Sequence, residues 1–127
     1  MAEALARSAR QFRADAELLD DLAVLQAEQV CCDDGSWEAD RLAALPDALR
    51  TRVLRLAAIA AGCPPGALTA SHVEALADLI TSWRGQRWTD LPGGVRGMRQ
   101  HGKLLFIAGH PSEPAGQGTP EGPVGRD

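Results

Sequence analysis

The chain has 127 residues and a formal net charge of −4, with 45% hydrophobic but only 4% aromatic residues. This length fits a single domain with a modest, mostly aliphatic core, and the chain contains no apolar stretch long enough to span a membrane. Three cysteines, two of them adjacent, exclude a disulfide framework, and without a signal-peptide hydrophobic segment we expect a cytoplasmic location.

A long helix is predicted from residue 3 to about residue 29. Its apolar positions, from Leu5 through Phe12 to Ala23, recur at alternating spacings of four and three residues, the period of a helix with one buried face. This pattern fits a core helix and a helix that connects to another domain equally well. We assign residues 1–30 to a connecting helix. A helical protein-interaction module stays an alternative, because this spacing is also typical of coiled coils.

The next segment contains a turn followed by a second helix. Asp33-Asp34-Gly35-Ser36 is a turn signal, and we interpret residues 37–45 as irregular chain or a short helix. Pro46 suits the first turn of a helix that we expect to end near Ala61, before the rigid loop Pro64-Pro65-Gly66.

A third helix is predicted to begin at Thr69 or Ser71. Ser71 with Glu74 three residues later forms a capping-box pattern, and Thr69 is an equally good N-cap. We interpret His72 as a cap-region or surface residue. The apolar stripe expected to face the core is Val73, Leu76, Ile80 and Trp83.

Short extended segments follow, over residues 87–91, 95–99 and 103–108, separated by Pro92-Gly93-Gly94 and Gln100-His101-Gly102. From residue 109 the chain is rich in Pro, Gly and polar residues, so we predict that residues 109–127 are disordered.

The predicted fold is mainly α, of the α+β class. A three-helix unit precedes a short antiparallel β-hairpin or meander, and residues 31–108 form the helical plus hairpin domain.

Charge is distributed unevenly along the chain. Residues 1–49 carry eleven acidic and four basic side chains, whereas residues 50–103 carry three acidic and eight basic ones. A local basic surface can bind phosphate even on an acidic chain, because screening by salt limits the range of each charge to about 8–10 Å. The guanidinium group of arginine can donate two hydrogen bonds to the oxygens of one phosphate. The predicted binding residues are Arg50, Arg52, Arg55, Arg84, Arg87, Arg96, Arg99 and Lys103.

Catalytic and metal sites are not predicted. The serines lack an elbow or triad context, and the set Cys31, Cys32, Cys63 and His72 lacks the paired spacing of a zinc site. Trp88 is interpreted either as an aromatic that stacks on a base or as a core residue beneath the hairpin. The scarcity of aromatic residues favours the core position.

Several runs in a fixed order resemble a known family. They are Leu-Pro-x-x-Leu-Arg-x-Arg-Val-Leu from Leu45, Leu-Thr-x-x-His-Val-Glu-x-Leu from Leu68, Trp83-Arg84-Gly85-Gln86 and Leu91-Pro92-Gly93-Gly94. Together, over about residues 4–108, they resemble the region that follows the ATPase domain in bacterial tRNA(Ile)-lysidine synthases. The Ser-Gly-Gly-x-Asp-Ser loop of that ATPase domain is absent. A truncated gene, an excised domain and one half of a split enzyme are all compatible with this.

The resemblance implies a module that positions tRNA for a synthase. In that family, ATP adenylates the C2 oxygen of the wobble cytidine in a tRNA(Ile) with a CAU anticodon, and the ε-amine of lysine then attacks C2 and displaces AMP. We expect tRNA contacts from the eight basic residues and no cofactor in this chain, with ATP and Mg²⁺ belonging to the missing catalytic domain. The chain alone is predicted to be inactive, and a separate PP-loop ATPase domain is a possible partner in trans.

A winged-helix DNA-binding domain is the other alternative, because two helices and a basic hairpin fit its outline. Against it, the helix that would read DNA carries Glu74 and Asp78 and no basic residue before Arg84.

Overall fold

The computed structural model describes residues 2–85 and 87–108. This part of the chain is an α+β fold in which the α-helices precede an antiparallel meander of three strands, as predicted. The predicted disordered tail, residues 109–127, lies outside the described residues. The elements are α1 (Ala2–Val30), β1 (Trp37–Glu38), α2 (Ala39–Ala44), α3 (Asp47–Ala60), α4 (Ala70–Thr81), β2 (Trp88–Leu91), β3 (Val95–Gln100) and β4 (Lys103–Ile107).

The sheet has the strand order β1-β4-β3-β2, with every pair antiparallel. The predicted meander, β2 to β4, is confirmed. The edge strand β1 was not predicted, because two residues are too few to show an alternating pattern. Strand β1 forms by pairing with the distant strand β4. Trp37 lies opposite Leu104, and the Ala39 N–H donates to the Gly102 carbonyl at 3.0 Å.

Both turns of the meander use left-handed backbone. His101 and Gly102, between the paired residues Gln100 and Lys103, have φ of 54° and 76°, which matches the twist of a two-residue hairpin. In the other turn Gly93 has φ of +84°, and a Cβ there would lie 2.7 Å from Cδ of Pro64. Only glycine therefore lets this turn pack against the loop between α3 and α4.

The core lies between the helices and one face of the sheet. Its largest fully buried side chains include Leu42, Leu54, Leu76 and Leu104, and a Cβ on Gly97 would lie 2.6 Å from Cδ2 of Leu76. The sheet therefore meets α4 at van der Waals distance. Because side chains alternate across a strand, the residues on the opposite, outer face include Trp88, Asp90, Arg96, Met98 and Lys103.

Helix α1 packs on the domain through only part of its length. Ala23 and Val30 are buried, and Asp20 forms an ion pair with Arg52 of α3 at 2.9 Å. Further towards the N-terminus, Leu5 and Phe12 are each 72% exposed. The stripe read from the sequence is thus a core face at one end of the helix and an open apolar face at the other.

Two predicted local motifs are present. In the turn after α1, the Ser36 hydroxyl and N–H donate to Oδ1 of Asp34 at 2.6 and 3.0 Å, and these bonds hold the pKa of that carboxyl below its usual value. Helix α4 is capped by Thr69, whose N–H donates to Nδ1 of His72 at 3.0 Å. The capping box therefore pairs Thr69 with His72 rather than Ser71 with Glu74.

Candidate nucleic-acid interface

Arg50 uses its whole guanidinium group inside the fold. Its Nε donates to the Leu42 carbonyl at 3.1 Å, one terminal nitrogen donates to Asp47 at 2.7 Å, and the other donates to the carbonyls of Ala43 and Leu45 at 3.1 and 2.7 Å. The side chain is only 13% exposed. Arg50 thus satisfies the carbonyl groups that end α2, which have no partner within that helix.

Arg52 and Arg55, on the same helix, use only part of their guanidinium groups for hydrogen bonds within the fold. Arg52 donates to Asp20 at 2.9 Å and to the Ala48 carbonyl at 3.0 Å. Arg55 donates to the carbonyls of Leu68 and Pro65 at 3.0 and 3.1 Å, which fixes the loop that leads into α4. Each arginine keeps one nitrogen with no hydrogen bond within the described residues.

Two cavities flank α3, and both are lined by Arg52 and Arg55. One, of about 300 Å³, lies between α3 and the first turns of α4 and includes Glu74 in its wall. The other, of about 290 Å³, lies between α3 and α1 and includes Asp20. In each cavity the two arginines are therefore accompanied by a carboxylate, which weakens the attraction of the cavity for an anion.

Arg96 is held on the outer face of the sheet. Its Nε donates to Asp90 Oδ1 at 2.8 Å, with the two side chains 14% and 23% exposed, and its guanidinium carbon lies 4.7 Å from the centroid of the Trp88 ring. Trp88 is buried, as the favoured interpretation expected, but beneath Arg96 on the outer face and not in the main core.

Trp83 was predicted to face the core, and this prediction is wrong. Helix α4 ends at Thr81, and Trp83 follows it with 48% of its surface exposed. Arg99 donates to the carbonyls of Leu79 and Ile80 at 2.8 and 3.2 Å, and its guanidinium carbon lies 4.9 Å from the centroid of the Trp83 ring. Arg99 therefore caps α4 and packs on the indole at once.

An open cavity of about 200 Å³, which we call the Trp83 pocket, lies beside this pair. The Arg99 N–H donates to the Arg87 carbonyl at 2.9 Å, so β3 brings Arg87 to the same place. The exposed side chain of Arg84 follows Trp83 in the chain. The residues lining the pocket are Trp83, Arg87, Met98, Arg99, Gln100 and His101.

The eight predicted basic residues thus lie in three places. Arg50, Arg52 and Arg55 are on α3, whereas Arg84, Arg87 and Arg99 surround the end of α4, and Arg96 and Lys103 are on the outer sheet face. Helix α4 has 12 residues, so its two ends lie about 18 Å apart. Gln100, His101 and Trp83 were not predicted as site residues. For Trp83, the available signal was Ser82, a residue type that favours helix ends over helix interiors and that forms the C-cap of α4.

The candidate metal ligands of the sequence lie in separate places. Cys31 and Cys32 follow α1, His72 caps α4, and Cys63 is buried after α3. Burial raises the pKa of the Cys63 thiol and is also the largest cause of the raised pKa of Cys31. Within residues 2–85 and 87–108, no three His, Cys, Asp or Glu side chains come together as a metal site would require. None of the helices described combines the length and the apolar character needed to cross a membrane.

The structure described is a small α+β domain with arginine-lined cavities. Residues 38–105 match the family described as TilS substrate binding domain, a match that includes more than half of the chain and all eight predicted basic residues. The chain belongs to this family.

Longer proteins share most of the chain. It is 52% identical over 106 residues to the tRNA(Ile)-lysidine synthase of Thermobifida fusca (strain YX), covering 84% of this chain and 33% of that protein. The synthase of Streptomyces coelicolor is 50% identical over 108 residues, covering 84% and 30%, and that of Salinispora arenicola 44% over 103 residues, covering 81% and 31%. The chain spans about a third of the length of these relatives, and the resemblance seen in the sequence is confirmed.

Proposed function

We propose that this chain is the tRNA-binding module of a tRNA(Ile)-lysidine synthase. The observation that carries the proposal is the family match over residues 38–105, which extends from β1 to β4. It contains both regions where arginines line open cavities. A cytoplasmic location, where tRNA is found, follows from the same proposal.

We propose phosphate contacts for a subset of the eight basic residues. They are Arg84, Arg87 and Arg99 around the end of α4, with Arg52, Arg55 and Lys103 as further contacts. Arg50 and Arg96 instead hold the α2 carbonyls and Asp90, so we propose that they position the surface and do not touch RNA. Contacts of this kind set orientation and affinity with little base reading.

The chemistry of the whole synthase would lie in a separate PP-loop ATPase domain. That domain would use ATP and Mg²⁺ to adenylate the C2 oxygen of the wobble cytidine in a tRNA(Ile) with a CAU anticodon, and the amine of lysine would then attack C2 and displace AMP. The residues of this chain would bind the tRNA and present its anticodon. Holding two reactants together lowers the entropic barrier to their reaction.

The open half of α1 is the proposed contact with that catalytic domain. Leu5 and Phe12 are each 72% exposed on the stripe that is buried further along the helix, and the relatives are about three times as long as the aligned region. With the catalytic domain supplied in trans, the variant Leu5→Glu/Phe12→Glu is expected to abolish association and to leave tRNA affinity unchanged. Association of the variant at wild-type strength would contradict this contact.

The winged-helix alternative is not favoured by the surface of α4. Glu74 and Asp78 are both exposed on this helix, and residues 70–81 contain no lysine or arginine. A helix with this charge would repel the DNA backbone.

Binding measurements at several salt concentrations test the proposed function. The 127-residue chain is titrated with a tRNA(Ile) transcript carrying a CAU anticodon and with a DNA duplex of similar charge. We expect log affinity for the tRNA to fall linearly with log salt concentration, and the tRNA to bind more tightly than the duplex. Equal affinity for both, or an affinity for tRNA that does not respond to salt, would contradict the proposal.

A further inference from the structure

We propose that the Trp83 pocket holds one unpaired nucleotide of the bound RNA, with its base stacked on the indole of Trp83 and its phosphate beside Arg87. This inference rests on the proposed tRNA-binding function. It adds a contact with a single-stranded part of the RNA, which a surface that only tracks a duplex would not make.

The first support is the state of Trp83 itself. Nearly half of its surface is exposed, although the chain has only three tryptophans and the other two, Trp37 and Trp88, are buried. Its orientation is set by Arg99, which lies 4.9 Å from the ring centroid and is itself anchored to two carbonyls of α4. An aromatic ring already held in place loses little freedom when a base stacks on it.

The second support is the size and chemistry of the cavity. Its volume of about 200 Å³ equals that of roughly six or seven water molecules, which suits a planar base rather than the end of a duplex. Gln100 and His101 line it and offer donors and acceptors for a base edge. His101 is the only non-glycine residue in the described chain with positive φ, at 54°, and the tight turn it forms places it at this wall.

The third support is the contrast with the two cavities beside α3. Both of those contain a carboxylate, Glu74 in one and Asp20 in the other, and no aromatic side chain is among the described residues that line them. The described residues that line the Trp83 pocket include two arginines and an indole and no acidic side chain. Of these three cavities it is therefore the one best suited to a group that combines a flat ring and a negative charge, and a nucleotide is such a group.

Single-stranded RNA tests the pocket directly. The 127-residue chain is titrated with hexauridylate and hexaadenylate, with a fully paired RNA duplex, and with the tRNA transcript, and both tryptophan fluorescence and fluorescence anisotropy are followed. We expect the hexanucleotides to quench the exposed Trp83, and Trp83→Ala to weaken their binding roughly 5- to 150-fold. Affinity for the duplex and the salt slope should stay unchanged, because the indole carries no charge.

Two further variants separate stacking from folding. Trp83→Phe keeps a ring opposite Arg99 and should recover most of the hexanucleotide affinity while the quenching disappears. Trp88→Phe, which alters the buried tryptophan beneath Arg96, should change neither quantity. Thermal unfolding followed by circular dichroism identifies any variant that has lost its fold.

The outcomes distinguish the pocket from the proposed function. If Trp83→Ala binds the hexanucleotides as tightly as wild type while tRNA binding stays salt-dependent, the pocket proposal is wrong and the tRNA-binding function stands. An equal loss for duplex and single strand would also overturn it, because Trp83 would then act through the fold. If the wild-type chain binds no RNA, the proposed function fails and the pocket proposal fails with it.

Discussion

Arg50 on α3 and Arg99 on β3 have the same side chain and different surroundings. Arg50 gives all three of its guanidinium nitrogens to carbonyls and Asp47. Beyond the end of α4, Arg99 uses one nitrogen for two carbonyls and packs the rest of its guanidinium on Trp83. Arg50 stabilises the end of α2, whereas Arg99 forms part of the wall of the open Trp83 pocket.

This difference shows why a basic segment does not by itself locate a phosphate site. An arginine whose donors are already satisfied stabilises its own fold, and it would have to break those bonds to grip an anion. What distinguishes a candidate contact is an accessible guanidinium beside space that a ligand can occupy. The predictions below use variants that should separate these two uses of arginine.

Arg50→Ala should give the largest effect. It removes four hydrogen bonds and leaves the carbonyls of Leu42, Ala43 and Leu45 without this donor. Because bonds to charged groups contribute more than neutral ones, we expect a loss of about 2–4 kcal/mol in the free energy of unfolding. Urea denaturation measures it. Arg50→Lys, which keeps the charge, should recover only part of the loss, and a loss below about 0.5 kcal/mol would show that this network is not structural.

Arg96→Ala should have the next largest effect, about 1–3 kcal/mol of stability. It leaves the largely buried carboxylate of Asp90 without its ion pair, and Oδ2 of Asp90 already has no hydrogen-bond partner within the described residues. The double variant Arg96→Ala/Asp90→Ala should therefore lose less than the sum of the two single variants. Strict additivity in this double-mutant cycle would mean that the pair does not interact.

Arg84→Glu should change binding more than stability. Its exposed position predicts a change in unfolding free energy of about 1 kcal/mol or less, as for other exposed polar contacts. If it contacts a phosphate, the salt slope of tRNA binding should become shallower by about one unit. Arg13→Glu, an identical charge change on the exposed part of α1, is the matched control. Equal effects of the two variants would indicate a general charge effect and not a site.

Arg52→Ala should cost less stability than Arg50→Ala or Arg96→Ala. Its ion pair joins a 30% exposed arginine to a 67% exposed Asp20, and such pairs contribute only about 0.2–1 kcal/mol. Raising the salt concentration should reduce the difference from wild type further. If Arg52→Ala matched Arg50→Ala in urea denaturation, exposure would not explain the contrast within α3.

The sequence predicted the elements whose pattern is local. The three helices longer than eight residues and the meander β2–β4 follow from apolar spacing and from Gly and Pro positions, and the structure confirms them. Trp83 was misplaced because it continues the stripe of Val73, Leu76 and Ile80, while the helix itself stops at Thr81. Strand β1 and the partners of Arg99 depend on contacts between distant parts of the chain, and no spacing in the sequence encodes those.

The most direct test is an NMR titration of the isotope-labelled 127-residue chain with the tRNA(Ile) transcript, observing the indole N–H of the three tryptophans and the Nε–H of the arginines. We expect the largest shifts or broadening at Trp83, Arg87 and Arg99, with Trp37, Arg50 and Arg96 nearly unchanged. Perturbation centred on Arg50 and Arg96, with Trp83 unmoved, would contradict an RNA site at the end of α4.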